Sequence, residues 1–172
     1  LATIDNSDAE IRAMAERIEA AEAECRAVAD ELSASRKEVC PKLESYIEDM
    51  LHMLGMEDAR FVVEIGSAEK FTPTGRDCVA YLFTANRTSK PNAVERIASG
   101  GELSRIMLAL KSLLAERRSL PTVIFDEIDT GVSGRVADAM GDIIAKLSES
   151  IQVVDITHLP QVASKPGTHF VV

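Results

Sequence analysis

The chain has 172 residues and a formal net charge of −9, and only 4% of its residues are aromatic. Its three cysteines show no CxxC spacing, which argues against a disulfide framework or a zinc site, and no apolar run approaches the ~20 residues of a membrane span. The negative net charge argues against strong binding of nucleic-acid backbones by this chain alone, because domains that bind phosphate backbones are usually basic. We expect the protein to reside in a reducing cytosol. Since residue 1 is Leu and not Met, we also expect this sequence to be an excerpt of a longer chain.

The first third of the chain carries a seven-residue repeat that is typical of a coiled-coil helix. One apolar position recurs at intervals of seven: Ile4, Ile11, Ile18, Cys25, Leu32, Val39 and Tyr46. A second lies three residues later, at Met14, Ala21 and Val28. A helix of about 40 residues would be about 60 Å long, which is too long for one compact domain. This helix is therefore predicted to pair with a partner helix that is not in this chain; an amphipathic helix on a globular body is the alternative.

Pro41 interrupts this pattern, and we expect it to kink the helix or to begin a new one, because proline lacks the backbone donor. A helical pattern resumes over residues 42–54, and Gly55 is a natural end. Strands are predicted next, at residues 61–65 and 78–83, with a turn region around Pro73 and Gly75 between them.

The second half alternates helices and short apolar strands after a polar loop at residues 86–92. The predicted elements are a helix at 101–116, a strand at 123–125, a helix at 134–147 and a strand at 153–156. This alternation predicts an α/β fold with a largely parallel, buried sheet.

The first candidate motif is Ser99-Gly100-Gly101-Glu102, at the start of a predicted helix. Two glycines let backbone amides approach a phosphate, the helix N-terminus adds partial positive charge, and the Ser99 hydroxyl adds a donor. A plain cap and turn is the alternative for this motif taken alone.

The second motif is Asp126-Glu127, at the C-terminal end of an apolar strand, where open α/β sheets bind ligands. Asp126 is placed to help hold Mg²⁺, as the strand-end aspartate does in P-loop NTPases. Glu127 is placed to orient or polarise an attacking water. Two solvated acids at an ordinary strand end are the alternative.

The third motif is the tight loop from Asp129 to Gly134, and the fourth is His158, just beyond the next strand. Asp129 is placed to reach across an interface, while Gly131 and Gly134 permit close backbone contact. A neutral imidazole at His158 could bond either a γ-phosphate or the attacking water. Alone, such a histidine is more often a surface or core residue.

The order of the four motifs is typical of ABC-type ATPases. Within that class, three segments closely resemble the RecN family of bacterial DNA-repair proteins, namely residues 97–105, 124–134 and 157–163. The resemblance covers essentially the whole chain and is strongest from about Gly75 onward. Arg87-Thr88 departs from it, because a glycine-bearing turn is expected after Asn86.

The resemblance implies an SMC-like ATPase of the P-loop NTPase fold, in which two heads dimerise around two ATP molecules. Ser99, Gly100 and Gly101, with Glu102, would contact the γ-phosphate held by the opposite head. Asp126, Glu127 and His158 would act on the nucleotide of their own head, with Asp126 on Mg²⁺. The loop with Asp129, Gly131 and Ser133 would be the D-loop. The family acts on DNA, in double-strand-break repair and recombination, in the bacterial cytoplasm at the nucleoid.

A GxxxxGK[ST] phosphate-binding loop is missing from the chain. The resemblance places it in an N-terminal lobe, which an antiparallel coiled-coil arm joins to a C-terminal lobe. Residues 1–54 would be the returning half of this arm, and residues 55–172 would form the C-terminal lobe. We therefore expect the chain alone neither to bind ATP tightly nor to hydrolyse it.

Other readings are another SMC-like head, a transporter nucleotide-binding domain, and a structural tether with a silent lobe. The heptad repeat argues against a transporter domain, and the amino-acid sequence of residues 130–134 argues against a standard SMC head. Intact Asp126, Glu127 and His158 argue against the tether.

Overall fold

The computed structural model describes residues 2–97, 99–118 and 120–171, and the side chains among them except those of 2–8, 116 and 118. Ala98, part of the resembling segment, and the Ile4 side chain of the heptad repeat lie outside the described residues. Contacts divide the chain into two compact units. One consists of residues 1–41 and 64–80, the other of residues 42–63 and 81–172.

The first element is one helix, α1 (Ala2–Met53), and Pro41 lies inside it. Of the two outcomes predicted for Pro41, a kink or a new helix, the new helix does not occur. Proline removes one backbone hydrogen bond, and the burial of the turns that follow offsets this loss, since Ile47 and Leu51 are fully buried. The helix ends as predicted at Gly55, whose N–H donates to the carbonyl of His52 while the N–H of Met56 donates to that of Leu51. These two bonds form a Schellman motif around the positive φ of Gly55.

Most of the described heptad positions of α1 face solvent, whereas Tyr46 is half-buried against the core. Five of these apolar side chains are more than half exposed: Ile11, Met14, Ile18, Val28 and Val39. Apolar side chains repeated at this spacing mark a helix face that is made for a partner helix.

A hairpin of β1 (Arg60–Thr72) and β2 (Gly75–Thr84) follows. In the first unit Arg36 donates to the Asp77 carboxylate at 2.7 Å and to the carbonyl of Thr74 at 2.8 Å. Arg76 reaches Asp30 at 2.5 Å. The hydrogen bond from Arg36, and to a lesser extent that from Ser33, holds the pKa of Asp77 below its ordinary value. These contacts join the helix to the tip of the hairpin.

The hairpin continues into β3 (Asn92–Ala93), giving a sheet of order β1-β2-β3, and a 3-10 turn (Val94–Arg96) follows. Strand β3 runs antiparallel to β2, with Leu82 opposite Ala93. The prediction of a largely parallel sheet is wrong for this part, because the connection between β2 and β3 is too short for a parallel crossover. In that connection Asn86 accepts hydrogen bonds from the Thr88 backbone and hydroxyl, so an Asx-turn replaces the expected glycine.

The remaining elements follow the predicted order: α2 (Gly100–Arg118), β4 (Thr122–Asp126), α3 (Gly134–Ser148), β5 (Gln152–Ile156) and the short α4 (Pro160–Ala163). Strands β4 and β5 pair in parallel, from Thr122 opposite Gln152 to Asp126 opposite Ile156. Across the described residues, no helix combines the length and apolarity that crossing a bilayer requires.

Two apolar clusters form the core of the second unit. In one, Val123 and Phe125 of β4 pack with Leu108 of α2 and with Met140 and Ile144 of α3. The other joins the last turns of α1 to the first sheet and to α2, through Ile47, Leu51, Phe61, Phe83 and Ile106. The opposite face of β4 and β5 is uncovered within the described residues: Ile124 is 58%, Val154 43% and Ile156 52% exposed.

We expect Gly55→Ala to lower the free energy of unfolding by about 2 kcal/mol, because a left-handed backbone costs a non-glycine residue about 1–2 kcal/mol. The new Cβ would also lie 2.9 Å from the Val136 side chain. Urea denaturation measures the change. Gly167→Ala is the matched control, since a Cβ there meets nothing within 4 Å. Equal effects of the two substitutions would contradict the role given to Gly55.

Candidate functional site

Three of the sequence-predicted groups lie at one edge of the β4–β5 sheet. Asp126 is the last residue of β4, Glu127 follows it, and His158 lies two residues beyond β5. The register pairs Asp126 with Ile156, so both strands end at the same level. All three side chains are exposed at this edge, which is the edge where parallel sheets bind ligands.

Glu127 has an unusual backbone. Its φ is +48°, and it is the one non-glycine residue with positive φ among residues 2–97, 99–118 and 120–171. Its N–H donates to the carbonyl of Ile156 at 3.0 Å, and its own carbonyl accepts from the Thr130 hydroxyl at 2.8 Å. A glutamate is held in this region only when its surroundings impose it, and such strain clusters at functional sites.

The loop after Glu127 turns the Asp129 side chain inward. Asp129 is 1% exposed, and one carboxylate oxygen accepts a hydrogen bond from the Thr157 hydroxyl. Its other oxygen lies 3.5 Å from Nδ1 of His158 and has no hydrogen bond among the described residues. The sequence prediction had Asp129 reaching across an interface; in this structure its carboxylate instead contacts the segment that carries His158.

The start of α2 touches the same loop through glycine. A Cβ on Gly101 would lie 3.2 Å from the carbonyl oxygen of Gly131, and Gly131 itself has a φ of +79°. The two glycines therefore permit a backbone contact that side chains would push apart. Ser99 and Gly100, just before this contact, are exposed, and Gly100 has open space around it. The free amides of the helix start are thus accessible to an anion.

The remaining predicted residues flank these groups. Glu102 is half-buried in the first turn of α2. Ser133 precedes α3 at its N-cap position without a side-chain capping bond, and Gly134 follows with a φ of +55°. Within the described residues, neither Glu102 nor Ser133 makes a side-chain hydrogen bond or ion pair that assigns it a role.

Sequence reasoning missed the anchor of the α2 start, Arg105. Its guanidinium donates to the carbonyl of Gly101 at 2.9 Å and to that of Leu54 at 3.1 Å. An arginine one turn into a helix gives no sequence signal of such a contact, because its partner lies 51 residues away.

Asp155 was also missed. It lies in β5 opposite Phe125, and both of its carboxylate oxygens are buried without a hydrogen bond to any residue that the structure describes. Burial, and then the nearby charge of Asp129, raise the pKa of Asp155 to about 6. An acid between apolar strand residues was the available signal, and it is a costly placement for a charge.

The sequence matches RecN proteins over most of its length, although no protein-family model matches it. The DNA repair protein RecN of Vibrio cholerae is 38% identical over 164 residues, which is 95% of this chain and 30% of that protein. RecN of Rickettsia prowazekii is 46% identical over 127 residues, 74% of this chain and 23% of that protein. RecN of Bacillus subtilis is 35% identical, over 96% of this chain and 31% of that protein. The chain therefore spans less than a third of the length of these relatives.

The fold matches SMC head domains. The Smc head domain of Pyrococcus yayanosii, with a coiled coil and joint, has a TM-score of 0.58 at 17% identity, over 73% of this chain and 23% of that chain. The Smc head domain of Pyrococcus furiosus, with an extended coiled coil, has a TM-score of 0.57 at 17% identity, over 72% of this chain and 29% of that chain. At this identity the likeness shows the fold alone, an α/β head lobe with a long N-terminal helix.

Asp155→Asn should stabilise the chain at pH 8 more than at pH 5. The folded-state pKa of Asp155 is about 6 against an ordinary 3.8, so the native state holds the proton more tightly. The stability that depends on this proton is present below pH 3.8 and is lost as the pH rises through about 6. We expect a gain on the order of 1 kcal/mol at pH 8, after allowance for solvent screening of a half-buried group, or about 2–4 °C in Tm.

Thermal unfolding followed by circular dichroism at both pH values measures this difference. Asp58→Asn, at an exposed position, is the control for general charge effects. A gain from Asp155→Asn that is the same at pH 5 and pH 8 would contradict the raised pKa.

Proposed function

This chain belongs to the RecN family of DNA repair proteins, and from that premise we propose that it supplies the C-terminal part of an SMC-like ATPase for DNA double-strand-break repair and recombination. The observation that carries the proposal is the strained glutamate: Glu127 follows Asp126 at the end of β4 with a φ of +48°, at the edge that also carries His158. A carboxylate held in this way is pre-positioned, as a group that orients an attacking water must be.

Asp126 and Glu127 each have a chemical role in this proposal. Asp126 would hold Mg²⁺, for which one exposed carboxylate is a fitting protein ligand. When bound, the ion neutralises charge on the phosphates of ATP. Glu127 orients the attacking water, and His158 contacts the water or the γ-phosphate from the end of the neighbouring strand.

The chain needs a second lobe to complete this site. A parallel sheet is normally covered on both faces, yet Ile124, Val154 and Ile156 are exposed on one face of the two-stranded β4–β5 sheet. We propose that the N-terminal lobe of the same protein, with the P-loop, covers this face and supplies the phosphate cradle. The chain alone would then neither bind ATP tightly nor hydrolyse it.

Residues 1–54 are proposed to be the returning half of a coiled-coil arm, and residues 55–172 the C-terminal lobe of the head. The end of α1 at Met53 and the exposed heptad face support this division. The partner helix would be the outgoing half of the same arm, which pairs apolar side chains that now face water.

The signature residues are proposed to act on a second head. Ser99 and Gly100 are exposed at the start of α2, with open space around Gly100, so Ser99, Gly100 and Gly101 can receive the γ-phosphate of an ATP held by the opposite head. This gives a homodimer with two ATP molecules between its heads. DNA binding would belong to the whole protein and be weak for this acidic part, in the bacterial cytoplasm at the nucleoid.

The first test is ATP hydrolysis by the chain alone and by the chain mixed with a separately made N-terminal lobe, with and without DNA. Activity is expected only on mixing. Glu127→Gln should then lower kcat about 100-fold or more, because the water loses its orienting base, while ATP binding persists and an ATP-bound dimer accumulates. Glu149→Gln, the same change at an exposed residue beyond α3, should leave kcat unchanged. Hydrolysis by the isolated chain at the rate of the mixture would overturn the proposal.

A second prediction concerns the uncovered sheet face. Ile124→Lys should leave the stability of the chain nearly unchanged, because Ile124 is 58% exposed, and should weaken binding of the N-terminal lobe about tenfold or more. Leu114→Lys, at a 48% exposed position on α2, is the control. Isothermal titration calorimetry compares the two; equal affinities would place the lobe on another surface.

A further inference from the structure

Asp129 holds a carboxylate that is buried but only half satisfied. The residue is 1% exposed, and one of its oxygens accepts a hydrogen bond from the Thr157 hydroxyl. The other oxygen, Oδ1, has no hydrogen bond. A buried carboxylate oxygen without a donor costs free energy, so this atom has a strong demand for an N–H or O–H. In the part of the chain that the structure describes, Nδ1 of His158 lies 3.5 Å from this oxygen.

Hydrogen bonds hold the segments on both sides of this contact. The N–H of Val132 donates to the carbonyl of Asp129 at 3.2 Å, which closes the loop around it. On the other side, the Thr157 hydroxyl donates to Asp129 and accepts from the N–H of Leu159 at 3.0 Å. Thr157 and Leu159 flank His158, so the carboxylate is tied to the turn that carries the imidazole. The imidazole itself is 67% exposed and so remains accessible to a ligand.

A neutral imidazole has one donor nitrogen and one acceptor nitrogen, and the partner of one nitrogen sets the state of the other. A carboxylate oxygen at Nδ1 favours the proton on Nδ1. The nitrogen Nε2 then carries a lone pair and points away from the carboxylate. Such a nitrogen can accept a proton from water, whereas it cannot donate to a phosphate oxygen.

We propose that Asp129 is a positioning residue that holds His158 through Nδ1, so that neutral His158 presents an unprotonated Nε2 to the attacking water. The catalytic consequence of this inference rests on the proposed ATPase function. The inference adds that His158 contacts the attacking water and not the γ-phosphate. It also gives Asp129 a role within its own lobe, in place of contact across a head interface.

The test is the ring tautomer of His158, read from ¹⁵N-¹H multiple-bond spectra of this chain at pH 8.5, where neutral rings are observed. The chain has three histidines, and His158→Gln assigns the signal. We expect mainly the Nδ1–H form for His158 and mainly the Nε2–H form for the exposed His52 and His169. Mainly the Nε2–H form at His158 would overturn the proposal, and this outcome needs no variant of Asp129.

Variants sharpen the result. Asp129→Asn should return His158 toward the Nε2–H form, and Thr157→Val should do so partly, because the carboxylate stays but loses its tie to the turn. Asp138→Asn, at an exposed carboxylate of α3, should leave the spectrum of His158 unchanged. An unchanged tautomer in folded Asp129→Asn would also overturn the proposal.

The kinetic consequence is measured in the complete protein. Asp129→Asn should lower kcat about 10- to 100-fold with little change in KM, and adding His158→Gln should lower it little further, because the two residues act as a unit. Additive losses would contradict the proposal. If the complete protein hydrolyses no ATP, the proposed function fails while the tautomer result stands; if it hydrolyses ATP without the tautomer, only this inference fails.

Discussion

The parallel pairing of β4 with β5 is the constraint on which the candidate site depends. Its register brings the end of the Asp126 strand level with Ile156, and the bond from the Glu127 N–H to the Ile156 carbonyl extends the pairing one step further. That bond holds Glu127 in a backbone conformation that a glutamate avoids. It also directs the following loop under the segment with His158, where Asp129 is buried. A shift in register would separate the acids from the histidine and turn buried side chains toward solvent.

Two apolar surfaces of the molecule are exposed to solvent. The heptad face of α1 exposes apolar side chains along one stripe, and the β4–β5 sheet exposes Ile124, Val154 and Ile156. Each buried apolar side chain contributes about 1.5–3 kcal/mol, so leaving two such surfaces in water forgoes a large stabilisation. Each surface fits a particular type of partner: a second helix fits the stripe, and a further layer of structure fits the sheet face. The proposed arm and N-terminal lobe meet these two requirements.

Much of the fold followed from patterns within short segments. Gly55 ends α1 because the helix cap needs a positive φ, and α2, β4, α3 and β5 appear in the predicted order because their apolar periods are clear. Two outcomes depended on other segments. No new helix begins at Pro41, because burial of the following turns outweighs one missing hydrogen bond. Strand β3 runs antiparallel to β2, because its connection is short.

The sequence by itself determined which chemical groups stand at strand and helix ends, since Asp126, Glu127, His158 and the Ser99–Gly101 start of α2 each follow a local pattern. Only the tertiary structure decided where Asp129 points, that Gly101 meets Gly131, and that Asp155 is buried without a partner. The physical reason is that a residue's own segment sets its backbone period, whereas burial and hydrogen-bond partners come from segments far along the chain. Asp129 and Thr157 are 28 residues apart, and no spacing rule connects them.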